Sequence, residues 1–442
     1  MKDVLVVSYY FPPAGGPGSQ RVLKFTRYLP RYGYRPRVLT VPEDAAFPTR
    51  DPSLLAESPP PDRIVRVPIP EFYAVYRRLS GTRSRAPMDI QAASGSGGGL
   101  RDRWLRWLRG ALFIPDGRMA WVPAATRAGV RICREHPVAA VVASGPPFTT
   151  HWIGRRIAER TGLPLVLDYR DPWTNAPFYP RRPRFARALD RRLEHGCLRR
   201  ASRIATASRT IARDAQARYP DIDPGAFAVI TNGYDPVDFE GLSPSPGPEW
   251  TLSHTGSIFA ARIPRTFLTA LRSWLEASPE RAKTVRIRFA GRMDDAMTAL
   301  LDDPLLAGVV RHEGFLPHRR SLQLLLDSHL LLLLVVNDPM AGGMVTAKVF
   351  EYLGSGTPVL ALAPEGEAAD LIRATRGGRV VSPDDGEGIR RALDAAYAAF
   401  QSGARAFGPA DSEAVASLTR HSQAGTLARL LDEAIGEPKP GA

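Results

Sequence analysis

Short apolar runs alternate with longer amphipathic segments along nearly the whole chain, and this alternation restricts the possible folds more than any other feature. In the first half the runs are 4–8, 35–41, 139–144, 163–169, 203–208 and 227–231. In the second half they are 251–256, 285–291, 309–315, 329–336, 357–363 and 377–382. Because strands that alternate with helices build parallel sheets, the pattern predicts an α/β fold made of two doubly wound, Rossmann-like halves.

The boundary between the halves is marked by proline and glycine, which crowd into residues 232–250. A chain of 442 residues is also too long for one ordinary hydrophobic core. We therefore predict an N-terminal domain at 1–235 with a flexible insertion at about 80–100, a linker at 236–250, and a C-terminal domain at 251–405. Residues 406–442 are predicted to form a helix that returns to the N-terminal domain, followed by a disordered tail.

The net charge of +14 is unevenly distributed. Residues 1–225 hold 38 lysines and arginines against 19 acidic residues, whereas the remainder holds 21 against 26. A basic half predicts an anionic partner, which could be a phosphate-bearing substrate, a nucleic acid or an anionic membrane surface.

Two absences narrow the class of protein. Only Cys133 and Cys197 are present, which excludes a disulfide scaffold and a cysteine-rich zinc site. The most apolar run, 322–336, contains Asp327 and His329 and is shorter than the roughly 20 residues of a spanning helix. With no signal peptide visible, we predict a cytoplasmic protein, including one bound peripherally to the inner face of the plasma membrane.

The segment "RDRWLRWLRGALF", 101–113, places Trp104, Leu108 and Leu112 on one helical face among several arginines. Two interpretations stay open. The segment is either a helix that lies on a membrane surface or a helix that packs on its own domain with its arginines in solvent.

The stretch "YYFPPAGGPGSQR", Tyr9–Arg21, connects the first predicted strand to the first predicted helix. It lacks the G-x-G-x-x-G spacing of a dinucleotide site, and no acidic residue ends the second strand, so a nicotinamide cofactor is not expected. Backbone amides at the start of the helix can still bind an anion or a hydroxyl group.

Polar residues follow several of the predicted strands. "ASGPPFTTH" and "LDYRDPW" supply Ser144, His151, Arg170 and Asp171, of which His151 and Asp171 are candidates for acid or base chemistry. The alternative is that they cap helices or form structural hydrogen bonds.

The turn in "SHTGSIFAARIPR" contains Gly256 and Ser257, and Arg262 or Arg265 could complete a diphosphate site there. The alternative is that these arginines only flank the start of a helix on the surface.

The strongest local signal is "NDPMAGGMVTAKVFEYLGSGTPVLAL", 337–362. Its glycine-rich part includes Gly342, Gly343 and Met344, and Lys348 and Glu351 follow at the predicted start of a helix. Backbone amides and Lys348 can bind a diphosphate, and the Glu351 carboxylate can accept hydrogen bonds from paired sugar hydroxyls.

These motifs, together with "TNGYDP" and "HEGFL", occur in the order found in family-four (group-one) glycosyltransferases of GT-B architecture, and the chain resembles that family from residue 9 to about 362. The resemblance implies two Rossmann-like domains that face each other across a cleft. It also implies a nucleotide-sugar donor in the C-terminal domain and an acceptor in the N-terminal domain.

The resemblance assigns roles by position. Glu351 matches the second glutamate of the family's E-x7-E motif and would bind the donor ribose, whereas the first glutamate falls at Gly343. Arg262 falls where the family usually has a lysine for the diphosphate, and Ser257 falls where it usually has an arginine. The catalytic histidine of many members would fall near Ser144 and is absent, which leaves His151 as a possible substitute.

The implied reaction retains the anomeric configuration and uses no protein nucleophile. The leaving diphosphate, stabilised by Arg262, Lys348 and helix-terminal amides, helps to deprotonate the incoming hydroxyl. His151 and Asp171 complete the candidate catalytic set, while Gly15 and Gly16 are expected to lie close to the sugar and acceptor, with Ser144 and Arg170 beside them. The nucleotide sugar is a co-substrate, and neither a cofactor nor a divalent metal is expected.

Three alternatives remain: a nucleotide-sugar epimerase, a nucleic-acid-binding protein, and a non-catalytic GT-B protein. The first needs paired carboxylates, of which only Asp171 is evident. The second is disfavoured because the arginines are scattered and half of the chain is acidic, so no nucleic-acid partner is expected. The third is prompted by the missing glutamate. The acceptor is expected to belong to a cell-surface polysaccharide, a glycolipid or a secondary metabolite.

Overall fold

The computed structural model describes residues 1–69, 107, 110–176, 179, 182–259, 263–336 and 345–436. The chain divides into two compact units. The first unit contains Met1–Thr231 and Arg420–Ala442, and the second contains Asn232–Thr419.

The first unit is built on a seven-stranded parallel sheet of order β3-β2-β1-β4-β5-β6-β7. Its strands are β1 Lys2–Ser8, β2 Tyr34–Thr40, β3 Ile64–Arg66, β4 Val138–Gly145, β5 Leu165–Tyr169, β6 Arg203–Thr206 and β7 Phe227–Val229. Its helices are α1 Pro17–Tyr28, α2 Val122–Glu135, α3 Thr149–Thr161, α4 Arg184–Arg200 and α5 Arg209–Arg218, and a last helix is contributed by Arg420–Ile435. The central strands are buried on both faces, as expected of a sheet covered by helices on each side.

Two hydrophobic cores lie on opposite faces of this sheet. On one face, Ile153 and Ile157 of α3 pack with residues of α2 and α4. On the other face, Val22 and Leu23 of α1 pack with Leu427 of the last helix. The end of the chain is therefore an integral part of the first unit.

The second unit contains a six-stranded parallel sheet of order β10-β9-β8-β11-β12-β13. Its strands are β8 Trp250–Thr255, β9 Val285–Ala290, β10 Val310–Gly314, β11 Leu330–Leu334, β12 Val359–Leu362 and β13 Gly378–Val381. Its helices are α6 Arg265–Glu276, α7 Arg281–Thr284, α8 Asp295–Leu301, α9 Pro304–Ala307, α10 His318–Leu326, α11 Lys348–Ser355, α12 Glu367–Ala374, α13 Gly386–Gln401 and α14 Ser412–Ala416; Arg420–Ile435 is then α15. Its cores also cover both faces of the sheet.

The α/β, doubly wound fold predicted from the sequence is confirmed, because each of the twelve predicted apolar runs contains a strand. The sequence analysis missed β3, whose three residues are too few to show an alternating pattern. Residues 236–250, predicted as a linker, lie in the second unit, where Phe239 and Leu242 pack against its core. The predicted insertion at 80–100 lies outside the described residues.

In the described part of the chain, no helix has both the length and the apolar character that crossing a bilayer requires.

Candidate functional site

Each sheet has one point at which the direction of strand order reverses, and ligands of doubly wound folds bind beside that point at the carboxyl ends of the strands. In the first unit it lies between β1 and β4, and in the second between β8 and β11. Gly15, Gly16 and Ser144 are at or just beyond the first of these edges, and Gly256 is just beyond the second.

The glycine loop after β1 is held in place by residues 49–51. Gly15 N–H donates to the Thr49 carbonyl at 2.9 Å, and a Cβ added at Gly15 would lie 3.1 Å from the Thr49 methyl. Gly16 has φ +91°, which side-chain-bearing residues rarely adopt, and no atom lies within 4 Å of the position its Cβ would take. The loop therefore leaves open space above Gly16, at the start of α1.

Arg170 lies against the same loop. Its Nε donates to the Gly145 carbonyl at 3.1 Å, and its Nη2 donates to the Pro146 carbonyl at 2.7 Å. A Cβ at Gly18 would lie 2.4 Å from Arg170 Nη1. The glycine at position 18 is thus required by the Arg170 guanidinium, which joins the β4 and β1 loops.

A buried ion pair lies behind this edge. Arg21 Nη2 is 2.8 Å from Asp168 Oδ1, and both side chains are almost fully shielded from solvent. Ser144 Oγ donates to Asp168 Oδ2 at 2.7 Å. The remaining Arg21 donors reach the Ile230 and Thr231 carbonyls at 2.8 and 2.7 Å. Burial acts to raise the pKa of Asp168, but the Arg21 charge outweighs it and holds that pKa below its usual value.

His151 does not reach the edge. It is fully buried on α3, its Nε2 lies 3.2 Å from the Asp168 carbonyl, and its ring packs between Phe148 and Tyr169. Its Nδ1 is buried without a hydrogen-bond partner among the described residues. Burial lowers the pKa of His151 to about 4, so the ring is neutral at neutral pH. This geometry favours a packing role, and the predicted catalytic role of His151 stays a prediction.

The "DYRDPW" motif is anchored by its aromatic residues. Trp173 N–H donates to Tyr169 Oη at 2.9 Å, and Trp173 Nε1 donates to Asp190 Oδ1 at 2.9 Å. Tyr169 in turn contacts the buried Glu194 carboxylate on α4. Asp171, between the two anchors, is half-buried, and burial raises its pKa above the usual range. A carboxylate with a raised pKa accepts a proton more readily.

In the second unit, two glycine turns pack directly on each other. Gly256 has φ +151° and its N–H donates to the Ala290 carbonyl at 2.7 Å. A Cβ at Gly291 would lie 2.1 Å from the Gly256 carbonyl oxygen. The Gly256–Ser257 turn is therefore fixed by the β9 loop, and Ser257 is half-buried beside it.

A cluster of three ionisable side chains lies where α10 and α11 meet. Glu351 Oε1 is 3.2 Å from His318 Nε2, and Glu351 Oε2 is 3.4 Å from Lys348 Nζ. Burial acts to raise the pKa of Glu351, but the two cationic partners lower it to about 2. The hydrogen bond with Glu351 raises the pKa of His318. The structure thus brings the predicted Lys348 and Glu351 together as a half-buried, ionised group.

The cluster is joined to β8 by the residue after Glu351. Tyr352 Oη accepts a hydrogen bond from Thr255 N–H at 2.7 Å, next to the Gly256 turn. The remaining predicted donor residues, Arg262 and Gly342–Met344, lie outside the described residues.

Three residues of these clusters were not predicted as site residues: Arg21, Asp168 and His318. Arg21 and Asp168 are far apart in sequence, so only the fold brings them together. His318 follows the "HEGFL" strand at the start of a helix, and its position at a strand end could have indicated it. Within the described ranges, no three His, Cys, Asp or Glu side chains come together as metal ligands would, and the need for a metal remains untested.

Residues 88–238 match the family model of Glycosyltransferase Family 4. No curated protein sequence matches the chain.

Solved structures match nearly the whole chain at low identity. Sucrose-phosphate synthase from Thermosynechococcus elongatus is 14% identical with a TM-score of 0.63, and the alignment covers 97% of this chain and 98% of that one. Anabaena HepE in complex with UDP and glucose is 15% identical with a TM-score of 0.59, covering 98% and 100%. A protein from Listeria monocytogenes assigned as a UDP-N-acetylglucosamine 2-epimerase is 12% identical with a TM-score of 0.54, and the alignment covers 98% of this chain and 96% of that one.

The resemblance stated from the motifs is thereby confirmed, since residues 88–238 match the family-four model and the two parallel sheets have the GT-B fold of the solved glycosyltransferases. The chain therefore resembles the family-four glycosyltransferases over residues 88–238 and shares the two-unit α/β fold of these solved structures.

Proposed function

We propose that the protein is a retaining glycosyltransferase that moves a sugar from a nucleotide-sugar donor to a hydroxyl group of an acceptor. The observation that carries the proposal is the Glu351–Lys348–His318 cluster. It lies at the start of the helix that follows β11, one of the two strands at the reversal point of the second sheet. An ionised carboxylate in that position can accept hydrogen bonds from two neighbouring ribose hydroxyls.

The cluster retains capacity for a ligand. Each Glu351 oxygen has one protein partner and a further lone pair, so both can accept from a sugar without losing His318 or Lys348. The Lys348 side chain is about one-third exposed. Its ammonium group has two further N–H donors that can bind a diphosphate. The Ser257 amide and the Arg262 side chain complete the proposed anion site.

The proposed chemistry places most of the stabilisation on the departing diphosphate. As the bond between the sugar and the diphosphate breaks, negative charge builds up on the leaving oxygen, where Lys348, Arg262 and the Ser257 amide act. The acceptor hydroxyl bonds to the sugar from the same face and passes its proton to the leaving phosphate. Asp171 is better placed than His151 to assist this proton transfer, because it is not fully buried. No metal ion is invoked.

We place the acceptor at the β1 and β4 edge of the first unit, where the open space above Gly16 lies next to Arg170. The acceptor hydroxyl is proposed to belong to a cell-surface polysaccharide, a glycolipid or a secondary metabolite. The reaction is proposed to occur in the cytoplasm.

The first test is thermal stabilisation by UDP, GDP, dTDP and ADP. One nucleoside diphosphate is expected to raise the Tm by several degrees, because a ligand that binds only the folded state stabilises it. Glu351→Ala and Arg262→Ala should lose this shift. The matched control is Glu365→Ala, which removes an exposed glutamate of the same unit that pairs with Arg373 on the surface. A Tm that does not change with any of the four would overturn the donor site.

Measuring the reaction of the nucleotide sugar with and without an acceptor distinguishes a transferase from an epimerase and from a non-catalytic protein. An epimerase changes its nucleotide sugar without any acceptor, whereas the proposed transferase releases the nucleoside diphosphate faster when an acceptor is added. Nucleotide binding without either reaction, across a panel of acceptors, would favour the non-catalytic alternative.

A further inference from the structure

Large apolar side chains are exposed mainly in one part of the first unit. Among the described residues, seven large hydrophobic side chains are exposed, and four of them are Trp107, Leu112, Phe185 and Leu189. Their exposed fractions are 48%, 55%, 60% and 48%. Single exposed hydrophobic residues are common, but several close together mark an interaction surface.

Two of the four lie on one face of α4. Phe185 and Leu189 are separated by one helical turn, so they project from the same side. The same helix exposes Arg184, Arg187, Arg191 and Arg192 to solvent, and none of these has an ion-pair partner among the described residues. We refer to these six residues as the α4 surface.

The acidic residues of α4 do not neutralise this surface. The helix has only two, Asp190 and Glu194, and both are fully buried. On the inner side of the helix, Asp190 accepts a hydrogen bond from Trp173, and Glu194 forms an ion pair with Arg218. The solvent side of α4 therefore combines apolar groups with uncompensated positive charge.

A second segment borders the α4 surface. Arg182, just before α4, donates to the Phe113 carbonyl at 2.8 Å and to the Pro115 carbonyl at 2.5 Å, and also reaches the Gly110 carbonyl at 3.3 Å. The guanidinium thereby fixes the start of α4 to residues 110–115, which carry Leu112. Leu112 therefore lies in a segment that is bound to the residue just before α4.

We propose that the α4 surface, with Leu112 beside it, docks on an anionic phospholipid bilayer. On the solvent side of α4, Arg192 lies beside Phe185 and Leu189, and the other arginines lie further around the helix. A helix side with apolar and basic groups binds in the interfacial layer, where the apolar side chains enter the acyl boundary and the arginines meet anionic headgroups. The excess of basic residues over acidic ones in 1–225 gives the whole unit the matching charge. This proposal concerns a surface of the first unit and does not depend on the proposed donor site.

The bilayer accounts for the observations better than a nucleic acid does. Phosphate groups of a duplex would pair with the arginines but would leave Phe185 and Leu189 exposed to water. An anionic bilayer accommodates both kinds of side chain at once.

The test is sedimentation of the full-length protein with phosphatidylcholine vesicles that contain or lack phosphatidylglycerol. Binding is expected only to the anionic vesicles and should weaken as salt is added, because the arginine contribution is screened. Phe185→Ser/Leu189→Ser and Arg184→Ser/Arg192→Ser should each weaken partitioning on the order of tenfold. Both pairs are exposed, so circular dichroism should show the same fold as in the parent protein.

The matched control is Arg127→Ser/Arg134→Ser, which removes the same charge from exposed positions of α2. This variant should bind the anionic vesicles within a factor of about two to three of the parent protein, because its charges lie away from the surface. The proposal is overturned if the parent protein does not bind anionic vesicles, or if the control weakens binding as much as the α4 variants. Tight binding to a duplex DNA with no binding to vesicles would also overturn it.

Discussion

The two units place histidines and carboxylates near the reversal points of similar sheets, but in opposite environments. In the first unit, His151 is fully buried, and the buried Asp168 carboxylate is bound by Arg21 and Ser144. In the second unit, His318 and Glu351 are half-exposed, with side-chain exposures of 35% and 18%. The same residue types therefore support the fold in one unit and remain accessible to a ligand in the other.

Burial explains the difference. A fully buried carboxylate must be paired by the protein itself, because an uncompensated charge in the interior is too costly. A half-buried carboxylate can share its lone pairs between protein and ligand. Polar residues at strand ends are thus better judged as ligand contacts by their exposure than by their identity.

The largest expected effect comes from breaking the buried pair. Asp168→Ala leaves Arg21 charged and buried without its carboxylate, so the free energy of unfolding of the first unit should fall by about 3–5 kcal/mol. Urea denaturation followed by tryptophan fluorescence measures this loss. Asp221→Ala, which removes an exposed carboxylate paired with His195, is the control and should leave the midpoint within error. Equal losses for the two variants would contradict the structural role of Asp168.

A smaller effect is expected in the second unit, and on binding rather than folding. Glu351→Gln keeps the side-chain size but removes the charge, and a hydrogen bond to a charged group contributes about 1.5–3 kcal/mol. Affinity for the preferred nucleoside diphosphate should therefore fall about 10- to 100-fold by calorimetry. A variant that binds normally but unfolds as easily as Asp168→Ala would reverse the comparison between the two clusters.

The smallest effects are in the pH dependence of stability, and the two histidines should act with opposite sign. The pKa of His151 is lowered to about 4, so its contribution is complete above the unfolded value of about 6.5 and is lost as pH falls toward 4. The pKa of His318 is raised, so its contribution is complete below about 6.5 and is lost as pH rises through the folded value.

Urea midpoints of His151→Gln and His318→Gln, compared with the parent protein across pH 4–9, test these signs. The difference between His151→Gln and the parent should shrink as pH falls, and the difference for His318→Gln should shrink as pH rises. Two histidines with the same sign would show that their environments are not as different as the geometry indicates.

Most of the fold could be predicted because it rests on a local signal. Each strand from β1 to β13, except β3, shows as an apolar run, and a run needs no knowledge of the rest of the chain. The boundaries of the units were harder to predict. Residues 236–250 contain many prolines and glycines, yet Phe239 and Leu242 are partly buried by packing that only the folded unit provides.

The candidate site was partly predictable for the same reason. Lys348 and Glu351 are three residues apart on one helix, so their proximity follows from helix geometry. The Arg21–Asp168 pair depends on contacts between distant segments, and no local pattern indicates it. The position of His318 after a strand is a local signal, but its contact with Glu351 is made only by the fold. The burial of His151 was also hidden, because its position at a strand end is equally compatible with an exposed side chain.

The last helix, α15, has a consequence for the order in which the protein is made. Its residues Leu427 and Leu431 belong to the core beneath α1, Tyr34 Oη donates to Asp432 at 2.5 Å, and Arg203 pairs with Glu433 at 3.0 Å. During synthesis, the whole second unit leaves the ribosome before this helix does. Translation of the first unit therefore starts first but ends last. The apolar face of α1 stays without its α15 partner until nearly the entire chain has been translated.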